Sequence, residues 1–172
     1  MIKAIRALVA FSAVALLVAC SSPAPKANKF LSYNGPAVTQ IVVNKGARRM
    51  HLLHGSTVLK SYDVQLGNQP LGAKRYSGDG RTPEGIYFID RFNPRSRYHL
   101  SVGVSYPSTE DKLRAQLVGM EPGGDIFIHG LGPEGRALNK KDWTAGCIAV
   151  SDDEIEEIYA MLTTGVPIII NP

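Results

Sequence analysis

Two residues with the chemistry of a nucleophile and a base lie near each other toward the C-terminal end of the chain. Cys147 stands in the stretch DWTAGCIAV, and His129 ends the apolar run IFIH. An imidazole can take the proton of a neighbouring thiol and stabilise the thiolate, which is the reactive form of cysteine. Because Gly146 lets the backbone turn sharply, the N–H groups of Gly146 and Cys147 are expected to bind a developing oxyanion. The pattern predicts covalent acyl-transfer chemistry at Cys147.

The cysteine count supports a special role for this thiol. The chain contains 2 cysteines, Cys20 and Cys147. If Cys20 carries a lipid, Cys147 has no partner in the chain. An unpaired thiol is a liability in the oxidising compartments that exported proteins enter, so a reactive role is one reason to keep it. A buried structural cysteine is the alternative, since free cysteine packs well as a small hydrophobic residue.

The elements that must position these residues are mostly strands. Alternating apolar and polar residues predict strands in AVTQIVVNK, RRMHLLHG, TVLKSYDVQLG, GIYFIDRF and YHLSVGVSY, with shorter apolar strands in GGDIFIHG and TGVPIIINP. A hairpin turn is expected at Asn44–Gly46. Capping-box spacing at Ser108 and at Ser151 predicts two helices late in the chain. The fold class is therefore α+β, mostly β, in one domain over residues 37–172.

The N-terminal residues indicate an exported protein. Lys3 and Arg6 precede an apolar run that is shorter than the roughly 20 residues a spanning helix needs, which is typical of a signal peptide over residues 1–19. The sequence LVAC resembles a bacterial lipobox, so Cys20 is the expected lipidation site and residues 20–36 a flexible tether. Ser21 favours the outer membrane, with the protein at the periplasmic face. An ordinary signal peptide cut near Ala19 is the alternative.

Composition argues against several other classes of protein. The net charge is +4, and no Lys/Arg-rich run with interleaved aromatic residues indicates a nucleic-acid partner. His51 and His54 lie on or beside an early strand without a carboxylate or cysteine pattern around them, so no metal site is expected there. No motif calls for a cofactor.

The quoted motifs together resemble the L,D-transpeptidase catalytic domain of the YkuD type. The sequence HG is followed after a spacer by TAGC and an apolar residue. The upstream segments that extend the resemblance are DGRTPEG, RFNPRSRYHLSVGVSYP and PGGDIFIHG. The likeness covers roughly residues 38–170 and is similar to the murein-transpeptidase branch of Gram-negative envelopes. It implies a β-sandwich-like catalytic domain with a few short helices.

The resemblance also implies roles for individual residues. Cys147 corresponds to the nucleophile and His129 to the proton donor and acceptor. The backbone carbonyl of Gly130 would orient the imidazole, while Thr144 and Gly146 shape the turn before the cysteine. The implied substrate is the peptidoglycan stem peptide. The thiolate attacks the carbonyl of its diaminopimelate residue, D-alanine leaves, and an amine resolves the thioester without any metal or cofactor.

One position departs from the family pattern. Many members have an arginine two residues after the cysteine that is thought to meet a substrate carboxylate, but this chain has Ala149 there. Another basic residue is expected to supply the charge, and the candidates are Arg81, Arg95, Arg97 and Arg136. Trp143 is a candidate cleft wall, with core packing as its alternative, and His99 is a further candidate for lining the cleft.

Three activities remain open from the sequence. The first is transfer of the acyl group to an amine. The second uses the same Cys–His site with water, as a carboxypeptidase or amidase that trims stems or releases a wall-anchored protein. The third is a non-catalytic wall-binding lipoprotein, which predicts an inert thiol. The Gly/Pro-dense loop 67–85 favours transfer if it covers the cleft and keeps water from the thioester.

Overall fold

The computed structural model describes residues 28–138 and 140–172. Cys20, the signal peptide and most of the expected tether lie outside the described residues. The elements in chain order are β1 (Gln40–Asn44), β2 (Arg49–His54), β3 (Thr57–Asp63), β4 (Gly85–Asn93), β5 (Ser101–Val104), α1 (Thr109–Leu117), β6 (Phe127–His129), α2 (Gly132–Ala137), β7 (Ile148–Ala149), α3 (Asp152–Met161) and β8 (Pro167–Asn171).

The strands form one sheet of 8 strands in the order β3-β2-β1-β8-β4-β5-β6-β7. β1 pairs with β8 and β6 with β7 in parallel, and the other neighbours are antiparallel. The sheet curls, because the segment after β3 returns to the far edge: Gln65 exchanges backbone hydrogen bonds of 2.9 and 2.8 Å with Ala149 of β7. The mostly β fold with a few short helices is confirmed.

The core lies between the curled sheet and α3. Ile41 and Val43 of β1 alternate with more exposed neighbours, as expected of a strand with one buried face. In α3, Ile155 and Ile158 recur at helical spacing and are fully buried. Ser151 caps this helix in a capping box with Glu154, as the sequence predicts. The equivalent box of Ser108 and Asp111 begins α1. None of the helices in the described residues is long and apolar enough to cross a bilayer.

The segment between His129 and Cys147, for which the sequence predicts a loop, contains a short helix. Its sequence GPEGRA has no apolar periodicity, so α2 was missed. Pro133 lies in the first turn, where a missing backbone N–H costs nothing. Gly135 allows the helix to approach Trp143, since a Cβ at Gly135 would lie 2.8 Å from the indole ring.

The loop 67–85 is tied to the end of β1 by a buried cation. Lys45 is 1% exposed. Its Nζ donates to the carbonyls of Gly72 (2.7 Å) and Thr82 (3.0 Å) and to the carboxylate of Glu84 (2.7 Å). A buried charge is tolerated only when partners satisfy it, and these three bonds do so. The loop is therefore ordered along β1.

Candidate active site

His129 and Cys147 project from neighbouring strands onto one face of the sheet. In the parallel pair β6–β7, Ile128 lies opposite Ile148 and His129 opposite Ala149. Side chains alternate between the two faces of a strand, so His129 points away from the buried face that Ile128 occupies. Cys147 directly precedes Ile148 and shares that face. Both residues line one cleft of about 450 Å³.

Strands, a turn and a loop build the rest of this cleft. β5 places Ser101 directly opposite His129, and β6 contributes Phe127. The turn after β4 forms one wall. The remaining lining residues are Asn93, Arg95, Ser96, Arg97, Tyr98 and Asp125. The nucleophile and base predicted from the sequence therefore meet in one concave site.

The imidazole of His129 is fixed on several sides. Its Nδ1 lies 2.6 Å from the carbonyl oxygen of Gly130, so Nδ1 carries the proton and Nε2 keeps a free lone pair. Tyr98 stacks on the ring at 4.6 Å between centroids, and Trp143 meets it edge-on at 5.7 Å. Burial lowers the pKa of His129, although the hydrogen bond to Gly130 opposes this. The imidazole is thus neutral and able to accept a proton.

The thiol of Cys147 is also held in its neutral form. Sγ–H donates to the backbone carbonyl of Asp125 at 3.5 Å. Burial raises the pKa of the Cys147 thiol. The nearby charges oppose one another, since the Asp125 carboxylate raises this pKa while Lys74 and Arg91 lower it. Burial thus disfavours the thiolate, and the thiolate–imidazolium pair that the sequence suggests stays a prediction.

The turn before Cys147 is held together by Thr144. Its hydroxyl donates to the carbonyl of Cys147 at 2.7 Å and accepts from the N–H of Gly146 at 3.1 Å. Gly146 has a φ of 137°, and a Cβ there would lie 2.6 Å from the carbonyl oxygen of Arg81. The N–H of Gly146 is used within the turn. The N–H of Cys147 is the donor that remains here for an oxyanion.

Asp142, which the sequence did not single out, anchors this loop to the sheet. Its carboxylate accepts from the N–H of Leu66 at 2.9 Å and from the guanidinium of Arg48 at 2.8 Å. Asp142 has a φ of 49°, a region that Asp and Asn adopt more readily than most residues. The loop that carries Cys147 is therefore positioned by the turn between β1 and β2 and by the segment after β3.

Only some of the residues expected to bind substrate line the cleft. Thr144 is buried within the turn, and Trp143 packs behind His129 with its Nε1 buried and unpaired. Arg81 does not line the cleft, and Arg136 forms an ion pair with Asp152. Arg95 and Arg97 do line it, but Arg97 pairs with Glu134. Arg81 and Arg136 are thus directed elsewhere, and Arg95 keeps a position in the cleft.

The other histidines have structural partners. His51 contacts the hydroxyl of Ser61 at 2.7 Å, and His54 contacts the carbonyl of Ala37 at 2.7 Å. His99 does not line the cleft, because its Nε2 lies 2.6 Å from the carboxylate of Glu156 in α3. Within the described ranges, no cluster of three or more His, Cys, Asp or Glu side chains is arranged to hold a metal ion.

Comparisons with known proteins agree with this geometry. Residues 38–170 match the family model of the L,D-transpeptidase catalytic domain, YkuD. YafK of Escherichia coli (strain K12), a provisionally named L,D-transpeptidase, is 26% identical over 147 residues, which cover 83% of this chain and 54% of YafK. The chain thus spans about half the length of this relative.

Solved structures show the same architecture. The helical cell shape determining protein Pgp2 from Campylobacter jejuni, as its K307A mutant, is 25% identical with a TM-score of 0.60, covering 83% of this chain and 50% of that one. Bd1075 of Bdellovibrio bacteriovorus is 26% identical with a TM-score of 0.54, covering 78% and 48%. An L,D-transpeptidase from Mycobacterium smegmatis, 16% identical with a TM-score of 0.53 over 79% and 59%, shares the fold. The chain belongs to the L,D-transpeptidase catalytic domain family.

Proposed function

We propose that this family member is a cysteine peptidyl-transferase that acts on peptidoglycan stem peptides, with Cys147 as nucleophile and His129 as proton donor and acceptor. The observation that carries the proposal is that adjacent parallel strands place the two side chains on one face and in one cleft. The fixed tautomer of His129 supports it, because the free Nε2 is the nitrogen that can serve as a base.

In the first half of the reaction, substrate binding brings a carbonyl carbon to Sγ of Cys147. The thiol proton passes to Nε2 of His129 as the new S–C bond forms. The oxyanion is bound by the N–H of Cys147, the donor that the Thr144 turn leaves available. When the tetrahedral intermediate collapses, the C–N bond breaks and His129 returns the proton to the leaving amine. Terminal D-alanine is the expected leaving group, and the product is a thioester on Cys147.

In the second half, an acceptor attacks the thioester. His129 takes a proton from the acceptor amine, the new amide forms, and the thiol of Cys147 is regenerated with that proton. The amine comes from a second stem peptide, a free D-amino acid or an anchored protein. These steps need no cofactor, because every proton is carried by His129 and the acyl group by sulfur.

Hydrolysis of the same thioester is the second candidate, and one structural observation favours it. The loop 67–85 does not cover the cleft, since none of its residues lines it. The bonds from Lys45 hold the loop against β1 instead. The lining of the cleft therefore gives no support to the water-excluding cover that the sequence suggests for this loop. If water attacks the thioester, the products are a tripeptide stem or a released wall-bound protein.

Location in the cell envelope belongs to the same proposal. The leader and the LVAC sequence support a periplasmic protein that is anchored through Cys20, with the outer membrane as its destination. Fractionation of cells that produce the natural protein or Cys20→Ala tests this directly. Membrane recovery that depends on Cys20 is expected, and a natural protein in the soluble periplasmic fraction would contradict it.

The activity is tested with residues 21–172 and purified stem tetrapeptides, with and without a D-amino acid. Cross-linked or amino-acid-exchanged stems, absent with Cys147→Ala, are expected for the transferase. Tripeptide alone, unchanged by added amine, would assign the hydrolase. Wall binding without any product that depends on Cys147 would leave a non-catalytic wall-binding lipoprotein.

A further inference from the structure

Arg91 lies in the row of residues that leads across the sheet to Cys147. In β4 it pairs with Gly103 of β5, which pairs with Phe127 of β6. Continuing the β6–β7 register by one residue places Cys147 beside Phe127. The guanidinium of Arg91 lies 4.3 Å from the centroid of the Phe127 ring. Arg91 is not itself among the residues that line the cleft, but its guanidinium lies against the ring of Phe127, which does line it.

Gly103 makes this path possible. A Cβ at Gly103 would lie 2.5 Å from Cγ of Arg91 and 2.4 Å from a carboxylate oxygen of Asp90. Any side chain there would displace the arginine from the Phe127 ring. Gly103 of β5 thus leaves room for the Arg91 side chain to cross from β4 to the Phe127 ring of β6.

The partner of Arg91 on the cleft side is weakly held. Nη1 of Arg91 donates to Asp90 at 2.7 Å, which fixes one side of the guanidinium. Its Nη2 donates to Asp125 at 3.2 Å, but the Asp125 side chain is 91% exposed. Exposed ion pairs contribute about 0–1 kcal/mol, so another carboxylate can replace Asp125. The backbone carbonyl of Asp125 accepts from the Cys147 thiol, so an incoming carboxylate would arrive beside the nucleophile.

Resting on the proposed function, we propose that Arg91 is the carboxylate-binding residue of this active site and that a carboxylate of the stem peptide displaces Asp125 from it. His129 protonates the leaving amine, so the leaving half of the substrate lies toward His129. Arg91 lies at the level of Phe127, beside the acyl half. The carboxylate it binds therefore belongs to the acyl-side residue, and the planar guanidinium offers two parallel donors to it.

The neighbouring positions leave this role to Arg91. Ala149, where many family members have arginine, lies opposite His129 in the β6–β7 pair, but its methyl group carries no charge. Arg97 lines the cleft, but its guanidinium contacts Glu134 of α2 and not Phe127 or Asp125. Arg95 lines the cleft beyond the end of β4, farther along the strand than Arg91, and serves as the rival in the test.

The test compares two alkylating agents of nearly equal size, iodoacetate and iodoacetamide, on Cys147. The ratio of their rates at one pH cancels the thiolate fraction and reports attraction of a carboxylate to the site. We expect Arg91→Met to lower the iodoacetate-to-iodoacetamide ratio by about threefold or more, and Arg91→Lys to lower it less. Arg97→Met, in the same cleft, should leave the ratio within about twofold, because its guanidinium contacts Glu134 of α2 and not a group that bonds to Cys147.

Removing the competitor gives an independent measurement. Asp125→Asn, which keeps a residue type that tolerates a positive φ, should raise the ratio, and the increase should be smaller when Asp125→Asn is combined with Arg91→Lys, because a general effect of losing one negative charge would be equal in both backgrounds. The proposal is overturned if Asp125→Asn leaves the ratio unchanged, or if Arg95→Met rather than Arg91→Met lowers it. Neither rate requires peptidoglycan. A shifted ratio without any wall product would refute the proposed reaction but support the carboxylate site at Arg91. A wall product that depends on Cys147, with an unchanged ratio, would refute only the carboxylate site.

Discussion

The imidazole of His129 lies stacked on the phenol ring of Tyr98, with centroids 4.6 Å apart and the ring planes inclined by 28°. Trp143 contacts both rings, at 5.6 Å from Tyr98 and 5.7 Å from His129. Aromatic contacts of this kind add about 0.5–1.5 kcal/mol beyond the area they bury. The imidazole of His129 is thus held by its neighbours, and its burial lowers its pKa.

Replacing Tyr98 by Leu is expected to raise the pKa of His129 toward its ordinary value, because water reaches the imidazole. Activity requires neutral His129, so the acidic limb of the pH–rate profile should move to higher pH. Loss of the stack should also lower kcat/KM by about tenfold at neutral pH. The measurement is the pH dependence of stem-peptide turnover. Tyr98→Phe keeps the ring and should behave like the natural protein, so equal shifts in both variants would contradict this role.

Alkylation of Cys147 by iodoacetamide should show an inflection above the pH expected of an ordinary cysteine, because burial raises the pKa of its thiol. The thiolate is present only above that pKa, so the rate rises with pH through the inflection. His129→Ala should lower turnover by about 10²–10⁴ yet keep the inflection high, since no ion pair is lost. An inflection below that of free cysteine in the natural protein would show a resting thiolate and refute this expectation.

Asp142→Asn tests the anchor of the catalytic loop. Burial alone would raise the pKa of Asp142, but hydrogen bonds from Arg48 and from the N–H of Leu66 lower it below its ordinary value. A carboxyl with a lowered pKa stabilises the fold above its unfolded pKa and loses this effect as the pH falls through its folded pKa. The variant should therefore lose about 1–3 kcal/mol of unfolding free energy at neutral pH and less in acid.

Urea unfolding at several pH values measures this difference. The control is Asp63→Asn, because Asp63 pairs with Arg49 on β2 but its side chain is 85% exposed. Its loss should stay within about 0.5 kcal/mol. If the two variants lose equal stability at neutral pH, Asp142 is an ordinary surface carboxylate and not an anchor.

Gly146→Ala is expected to disturb the turn that carries the nucleophile. The new Cβ would meet the carbonyl oxygen of Arg81 at 2.6 Å, and the φ of 137° is one that other residues rarely adopt. Such strain costs about 1–3 kcal/mol, and stem-peptide turnover should fall with it. Gly46→Ala is the matched control, since its Cβ would lie 3.6 Å from the nearest atom. Thermal unfolding and stem-peptide turnover are measured for both variants. Equal losses in Gly146→Ala and Gly46→Ala would contradict the requirement for glycine at position 146.

Local patterns predicted the elements well. The hairpin at Asn44–Gly46 and the capping boxes at Ser108 and Ser151 are confirmed, because they depend only on residues near one another in the chain. The pairing of His129 with Cys147 was also predictable, since both residues flank recognisable apolar strands. The helix α2 was not, because its short Gly- and Pro-containing segment has no apolar periodicity.

Residues that come together through strand register could not be predicted from the sequence. Ser101 lines the cleft and Arg91 lies against Phe127 because β4, β5 and β6 align in one register, which no local pattern specifies. Arg81 was expected near the substrate on the strength of its motif, but its backbone supports Gly146 instead. The sequence predicts that Lys45 is a turn residue, but it is buried. The carbonyls that accept its hydrogen bonds come from a loop distant in sequence.

The position of β8 has a consequence for the time at which the active centre matures. This strand follows both His129 and Cys147 in sequence, yet it lies in the middle of the sheet and joins β1 to β4. A ribosome delivers the nucleophile and the base before the strand that unites the two halves of the sheet. Pairings between distant segments form slowly, so the incomplete chain holds its thiol in an unassembled site. The topology thus makes completion of the sheet, wherever the exported chain folds, depend on the segment that ends at Asn171.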